Sequence, residues 1–304
     1  MILCAGESLI DMVPEDGAFR PLAGGAVYNT TVALGRLGEA VAYLWPISRD
    51  VFGEVLLRPL AEAGVNTDLC PRSDRLTTLA LVTLTGGEAR YSFYDEGSAG
   101  RMLSPDDIPE LPDAVAAIFA GGISLVPDPC GAAIEALVAR NHDRLPVMLD
   151  PNIRPFFIKD AEAFRARLDR LMPQADIVKL SSDDLEWLYP DLDPASAARK
   201  VLETGPRIVL QTGGAAGAHA HWAGGSVAAP AIRTTVADTI GAGDTFNAGV
   251  LASLRRQGLL SKAGLAAITA DQIREALTLG AQAAAITVSR HGANPPWAHE
   301  MPTG

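Results

Sequence analysis

Short, unbroken apolar runs alternate along the chain with longer segments whose apolar residues recur three and four apart. The runs are ILCAG (2–6), AVAYLWPI (40–47), AVAAIFAGG (114–122), PVMLD (146–150), ADIVKL (175–180) and RIVLQTGG (207–214). Runs of this length and character predict buried strands. The segments 127–141 and 161–172 carry the helical spacing. Strand and helix in alternation predict parallel βαβ units, hence an α/β fold on a mainly parallel sheet. Ser181-Ser182-Asp183-Asp184 and Thr269-Ala270-Asp271-Gln272 each have the capping-box spacing and predict two helix starts. No repeat, low-complexity stretch or Pro/Gly/Ser linker divides the sequence, so one main domain is expected over 1–304.

Two segments break the alternation. TTLALVTLTGGEARYSFYDEG (77–97) holds two β-prone runs joined through Gly86-Gly87, which predicts an antiparallel hairpin. SLIDMVPEDGAFRPL (8–22) is β-prone where a helix would follow the first strand. Together, about 8–22 and 77–97 predict a small sheet projecting from the α/β body. Such a sheet is either a surface hairpin without a role or a lid. The lid reading follows from ligands binding at the carboxyl ends of strands, where such insertions emerge.

Composition narrows the partners. The 304 residues carry a net charge of −11, which argues against general attraction to nucleic acid or to an anionic membrane. No apolar run approaches the roughly 18–20 residues that a bilayer span needs. The start, MILCAGESLID, lacks a basic region and meets Glu7 too early for a signal peptide. Cys4, Cys70 and Cys130 are odd in number and widely spaced, as expected of buried thiols in a cytoplasmic protein rather than a disulfide or metal set.

The chemistry concentrates in two glycine loops. DTIGAGDTF (238–246) runs into an apolar helical segment, so Gly241, Ala242 and Gly243 would offer unpaired N–H groups and a positive helix end to an anion. A plain turn that caps the helix is the alternative. The loop has neither a G-x-x-x-x-G-K-[ST] nor a G-x-G-x-x-G pattern. Asp244 would be repelled by a phosphate there, which makes sense if an alcohol must lose its proton while attacking a phosphoryl group. The helix end is expected to keep this acid ionised. In PLAGGAVYNTTVALGRLG (21–38), Gly24-Gly25 open a second helix with Asn29 in its first turns. An amide beside open backbone, with an acid such as Asp11, suits adjacent hydroxyls of a polyol.

These residues resemble the ribokinase-like (PfkB) carbohydrate kinase family over essentially the whole length. The family pattern D-T-x-G-A-G-D-x-F is met by Asp238 through Phe246 at every fixed position, and its G-G with a nearby Asn by Gly24, Gly25 and Asn29. GESLIDMVP (6–14), DPNIRP (150–155) and KLSSDDLEWL (179–188) are similar to the bacterial fructokinase branch. The resemblance implies a three-layer α/β/α core of nine or so strands with a β lid, and ATP-dependent phosphorylation of a sugar hydroxyl. It implies Asp244 as base, Gly241–Ala242–Gly243 as anion hole, and Arg154 as the cation near the transferred phosphate or the sugar. It implies sugar contacts from Asp11, Gly24, Gly25, Asn29 and, from the lid, Arg101. Lys179, Thr212, Gly214 and Gly217 fall on the nucleotide side. Mg²⁺ would bridge the ATP phosphates. A monovalent cation such as K⁺ would sit near Asp238 and Ile240, with carbonyls from VSRHGANPP (288–296). Lids of this class sometimes pair in a homodimer.

The expected substrate is fructose, phosphorylated to fructose 6-phosphate. A 2-keto-3-deoxygluconate kinase is the rival, kept open by Arg90 and Arg101 as partners for a carboxylate. Gly100 stands where an acid is expected in many fructokinases, which puts the lid contacts in doubt. A nucleoside kinase would call for an aromatic clamp, which the residues near the lid do not suggest. A sugar-binding relative without turnover would be expected to lose Asp244 or its glycines, and neither is lost.

Overall fold

The computed structural model describes residues 1–85 and 88–302, with the side chains of 84–90 outside the description. The Gly86-Gly87 turn and the Arg90 side chain expected above therefore lie outside the described residues. The strands, in chain order, begin with β1 (Ile2–Ala5), β2 (Leu9–Glu15), β3 (Ala18–Gly24), β4 (Val41–Leu44) and β5 (Ile47–Ser48). Then come β6 (Arg72–Ser73), β7 (Leu79–Thr85), β8 (Glu88–Tyr94), β9 (Ala117–Gly121) and β10 (Val147–Asp150). The last are β11 (Ile177–Ser181), β12 (Ile208–Thr212), β13 (Ala218–Trp222) and β14 (Gly225–Ala229). The helices are α1 (Ala26–Arg36), α2 (Val51–Glu62), α3 (Cys130–Asn141), α4 (Ala161–Leu171) and α5 (Ser182–Leu188). They continue with α6 (Pro194–Leu202), α7 (Ala242–Arg256), α8 (Lys262–Ala266) and α9 (Ala270–Val288).

Eight strands form the main sheet in the order β14-β13-β12-β11-β10-β9-β1-β4, with helices on both sides. From β4 through β12 the neighbours are parallel; β13 and β14 close one edge antiparallel. The layers are the three expected, and among the described residues the sheet has eight strands, in line with the nine or so implied. All six apolar runs became strands of this sheet. The edge pair gave no apolar signal because β13 reads AHAHW, with His219 exposed and the residues on either side of it buried. One predicted strand is shorter than its run. β4 stops at Leu44, and beyond Pro46 the chain pairs Ile47–Ser48 with β6 instead. Proline cannot donate to a ladder, which suits it to such a break. Both capping boxes form, at Ser181–Asp184 and Thr269–Gln272. Among the described residues, no helix is long and apolar enough to cross a membrane.

The second sheet has the order β3-β2-β7-β8 and so unites the two segments that broke the alternation. β2 and β3 turn at Asp16-Gly17, both at positive φ, and β2 then runs parallel to β7. Asp11 on β2 is an inner position of this sheet, opposite Leu22 on one side and Ala80 on the other.

The main-sheet strands from β1 to β11 are buried nearly throughout, and the three cysteines are free and buried among them and their loops. Burial pushes each thiol up to about 12. The most extensive helix contact is between α7 and α9, where the chain brings Gly249 against Gly280. A Cβ at Gly249 would stand 2.6 Å from Gly280 Cα and 2.9 Å from Leu279 O. That approach leaves no room for a side chain at either position, and it anchors α7 along its length. Gly249→Val should therefore destabilise the protein by about 2–3 kcal/mol, the upper part of the cost of an overpacked core. Denaturant unfolding checks this; a variant as stable as the parent would mean that the seam is loosely packed.

Candidate active site

The starts of α1 and α7 face each other, and the candidate site lies between them. Helix α7 begins at Gly241, whose φ of 77° puts it in the left-handed region. Glycine takes this conformation without strain, and it aims the following N–H groups outward. No side chain caps this helix start. A Cβ at Gly241 would also meet Ala293 at 2.8 Å, so the turn is packed against the chain that follows α9. Asp244 lies in the first turn of α7 and is 7% exposed.

Helix α1 begins in the same manner, without a side-chain cap, at Gly25 with φ 113°. A Cβ there would collide with the Glu7 carbonyl at 2.5 Å. Gly24 makes room for Asp11: a Cβ at 24 would stand 2.3 Å from Asp11 Oδ2. The two helix starts are joined directly. Asn29 Nδ2 donates to Asp244 Oδ2 at 2.8 Å, and Thr30 Oγ1 donates to the Asp244 backbone oxygen at 3.1 Å. The structure thus brings Asp11, Gly24, Gly25, Asn29, Gly241, Ala242, Gly243 and Asp244 to one place.

Burial dominates the electrostatics. It pushes the Asp244 carboxyl from an ordinary 3.8 up to about 7, with Asp150 adding to the rise while Asn29, Lys179 and Arg154 oppose it. This corrects the expectation that the helix end keeps the acid ionised, because loss of water outweighs the dipole. Burial likewise pushes Asp11 up to about 6. Arg154 is exposed on the loop after β10, and its guanidinium donates to the Ile153 carbonyl at 3.1 Å.

Lys179 stands apart from the other residues expected on the nucleotide side. It is 4% exposed, and its ammonium bonds Asp150 Oδ2 at 3.1 Å inside the protein. Thr212, Gly214 and Gly217 instead form an outer turn beyond β12, closed by Gly213 N–H donating to Gly217 O at 2.9 Å. Ser181 pairs with Thr212 in register, so this turn adjoins the start of α5 at the carboxyl edge of the sheet. At Asp238 the carboxylate accepts from Gly292 N at 2.9 Å and from Ile240 N at 3.1 Å, which ties the 238–241 turn to the chain after α9. Ile240 itself is exposed.

Several residues of the site were not singled out from the sequence. Glu7 is buried, and its carboxylate accepts from Ala26 N at 2.9 Å and Ser124 N at 3.2 Å; burial pushes it up to about 7. Asn247 of α7 donates to Asp150 beneath the helix at 2.7 Å, and Asp184 accepts from Ile153 N at 2.7 Å besides capping α5. Glu7, Asp150 and Asp184 all fall inside the stretches that carry the family resemblance, which was the available signal. A cleft of about 780 Å³ opens beside the second sheet, walled by Tyr91, Phe93, Phe156 and Phe157. Tyr91 stacks on Phe156 at 5.6 Å, and Phe93 meets Phe157 edge-on at 4.8 Å. The aromatic wall was missed because its two halves are more than sixty residues apart in sequence. Arg101 lines this cleft, paired with Asp95 at 2.6 Å and donating to the Asp128 carbonyl at 2.8 Å.

The sequence profile of the pfkB family of carbohydrate kinases matches residues 1–300. The chain belongs to that family. It is 45% identical over 279 residues to a fructokinase of Rhizobium leguminosarum bv. trifolii, covering 90% of this chain and 86% of that protein. A probable chloroplastic fructokinase-6 of Arabidopsis thaliana is 32% identical over 309 residues, covering 97% of this chain and 79% of that one. Among solved structures, the fructokinase with bound ATP from Xylella fastidiosa superposes with a TM-score of 0.88 at 31% identity, over 99% of this chain and 94% of that one. The resemblance read from the sequence is thereby borne out, and the fold is the ribokinase-like one it implied.

The raised Asp244 carboxyl has a signed consequence for stability. The native group holds its proton up to about pH 7, whereas in the unfolded chain it releases it near 3.8. The native state therefore binds more protons in that window, and the wild type loses stability as pH rises through it. Asp244→Asn has no proton to lose. Its melting temperature should exceed that of the wild type by a margin that grows from pH 5 to pH 8. A margin that is constant or shrinking over that range would mean that Asp244 is not a buried, proton-holding acid.

Proposed function

We propose that the protein is an ATP-dependent fructokinase, transferring the γ-phosphate of ATP to the primary hydroxyl of fructose to give fructose 6-phosphate. The observation that carries this reading is the buried Asp244 carboxylate, set in the first turn of α7 beside uncapped N–H groups and bonded to Asn29 of the opposite helix. The fructokinase names of the relatives supply the sugar, and the ATP bound in the Xylella enzyme supplies the donor.

In this reading Asp11, Gly24, Gly25 and Asn29 hold the sugar hydroxyls, and the second sheet serves as lid over a single kinase domain, 1–304. Asp244 accepts the proton of the attacking hydroxyl, and a group near pH 7 is well matched to that task. Gly241, Ala242 and Gly243 turn their N–H groups to the transferred phosphoryl oxygens, and Arg154 reaches them from the loop after β10. Thr212, Gly214 and Gly217 hold the nucleotide. Among the described residues, no cluster of three His, Cys, Asp or Glu side chains is arranged for a metal ion, which fits Mg²⁺ arriving on the nucleotide. There it would neutralise charge on the β- and γ-phosphates. Asp238 suits a monovalent cation such as K⁺: burial alone would raise its carboxyl, but N–H bonds from Gly292, Ile240 and Thr239 outweigh that and keep it ionised. The exposed Tyr94 at the end of β8 would invite pairing of two lids in a homodimer. Arg101 is already neutralised by Asp95, which weighs against a carboxylate substrate such as 2-keto-3-deoxygluconate.

An ADP-release assay over fructose, 2-keto-3-deoxygluconate, ribose and adenosine tests the substrate. Fructose should give the highest kcat/KM, and faster turnover of any other would overturn the assignment. Asp244→Asn should then lower kcat by about 10²–10⁴ while ATP affinity holds or rises. Near-normal turnover in the folded variant would remove Asp244 from the chemistry. Asp11→Ala should raise KM for fructose by about tenfold to a hundredfold through lost charge-assisted hydrogen bonds, with KM for ATP nearly unchanged. Equal weakening of both substrates would take Asp11 out of the sugar pocket.

A further inference from the structure

Beneath the turn that begins α7 lies a polar unit that the proposed mechanism does not use. Asp150, at the end of β10, is 2% exposed and receives two donors on one oxygen. Lys179 Nζ of β11 bonds Asp150 Oδ2 at 3.1 Å, and Asn247 Nδ2 of α7 bonds the same atom at 2.7 Å. Asn247 is 0% exposed, and its Oδ1 has no hydrogen-bond partner among the described residues. Charged and half-satisfied polar groups are costly to bury, and apolar residues of similar volume often replace a buried ion pair without loss of stability. A polar unit kept at such cost under the catalytic turn suggests a use for its charge.

The direction of that charge is set by Gly243. A Cβ placed at Gly243 would stand 3.4 Å from Lys179 Nζ, and no other described atom is recorded within 4 Å of it. The ammonium therefore lies on the Cβ side of Gly243, the last residue of the anion-binding turn, with no side chain between. It is the one buried lysine among the described residues, and the carboxylates of Asp150, Asp184 and Asp244 surround it. Burial would lower its proton affinity, yet those carboxylates outweigh burial and keep it charged. The turn at Thr212–Gly217, exposed at Gly214–Ala216, is the part of this side left for the nucleotide in that reading.

We propose that Lys179 is a positioning residue for phosphoryl transfer, a fixed positive charge held by Asp150 and Asn247 behind the Gly241–Gly243 turn, and not a nucleotide contact. It acts through the turn: a cation behind the N–H groups strengthens their attraction for charge that develops on the transferred phosphoryl group. Water is excluded there, so the charge is weakly screened. This inference rests on the kinase reading above, and it adds the residue that polarises the anion hole from within.

Lys179→Met and the double variant Asp150→Asn/Lys179→Met test it. Turnover is taken per folded molecule at a temperature below the melting midpoints of both variants, and ATP affinity is measured by calorimetry. Lys179→Met should lower kcat by about 10²–10³, the usual effect of losing one stabiliser of a developing oxyanion. Its Kd for ATP should stay within about threefold of the parent. The double variant removes the stranded carboxylate, so its melting temperature should recover while kcat stays low. Recovery of kcat together with stability would reduce Lys179 to a structural ion pair and overturn the proposal. So would a tenfold loss of ATP affinity with kcat retained, which would return Lys179 to the nucleotide. The parent protein is the control: if it phosphorylated none of the sugars in the ADP-release assay, the kinase reading itself would fail, and not this inference alone.

Discussion

Two hydrogen bonds between helix starts organise the molecule. Asn29 and Thr30, in the second turn of α1, both reach Asp244 of α7, one to its carboxylate and one to its carbonyl. The partners are more than two hundred residues apart, so the bonds exist only when the whole parallel sheet between them has formed. Each helix start is left uncapped by any side chain of its own. At α1 Glu7 takes the first N–H groups, its carboxylate accepting from Ala26 N at 2.9 Å and its carbonyl from Tyr28 N at 3.3 Å; at α7 Ala242 N donates to the Thr239 carbonyl at 3.3 Å and no side chain caps the turn. The positive helix end left for an anion is therefore that of α7, and the remaining features serve to keep the two starts in place.

The chain keeps them in place by opposite means on the two sides. Around α7 the solution is close packing: missing side chains at Gly249 and Gly280 let two helices touch backbone to backbone. Around α1 it is a buried acid, since Glu7 receives the N–H of Ala26 and that of Ser124 and so pins the helix start to the loop after β9. Glu7, Asp150, Asp184 and Asp244 are all buried, a concentration of carboxylates that a protein built for stability alone would avoid. Each has hydrogen-bond donors that lessen the cost, but two of the four are still pushed to about 7.

Much of this architecture could be read from the chain because buried parallel strands leave an unmistakable trace. Six apolar runs marked six strands, and the two capping boxes marked two helix starts to the residue. The antiparallel edge escaped notice, since a strand such as AHAHW is covered on one side only and spells no apolar run. At the site, the glycine loops announced themselves, and the residues gathered around Asp244 include every one expected for the sugar except Arg101. The family resemblance assigns Lys179 to the nucleotide side, whereas its burial against Asp150 could not be read from its own stretch of chain. Whether a lysine near a strand end faces solvent or the core depends on its partners, and Asp150 and Asn247 lie 29 and 68 positions away. The same limit hid the aromatic wall, whose rings come from β8 and from the loop after β10.

That wall has a mechanical side. Tyr91 and Phe156 meet face to face, with only 10° between their planes. Flat rings in this arrangement can slide across one another while losing little buried area, whereas pulling them apart exposes both faces at once. Phe93 and Phe157, packed at 71°, meet edge to face and resist the same sliding. At this contact between the second sheet and the main body, sliding of the stacked pair is thus the cheaper displacement and separation of the rings the costlier one.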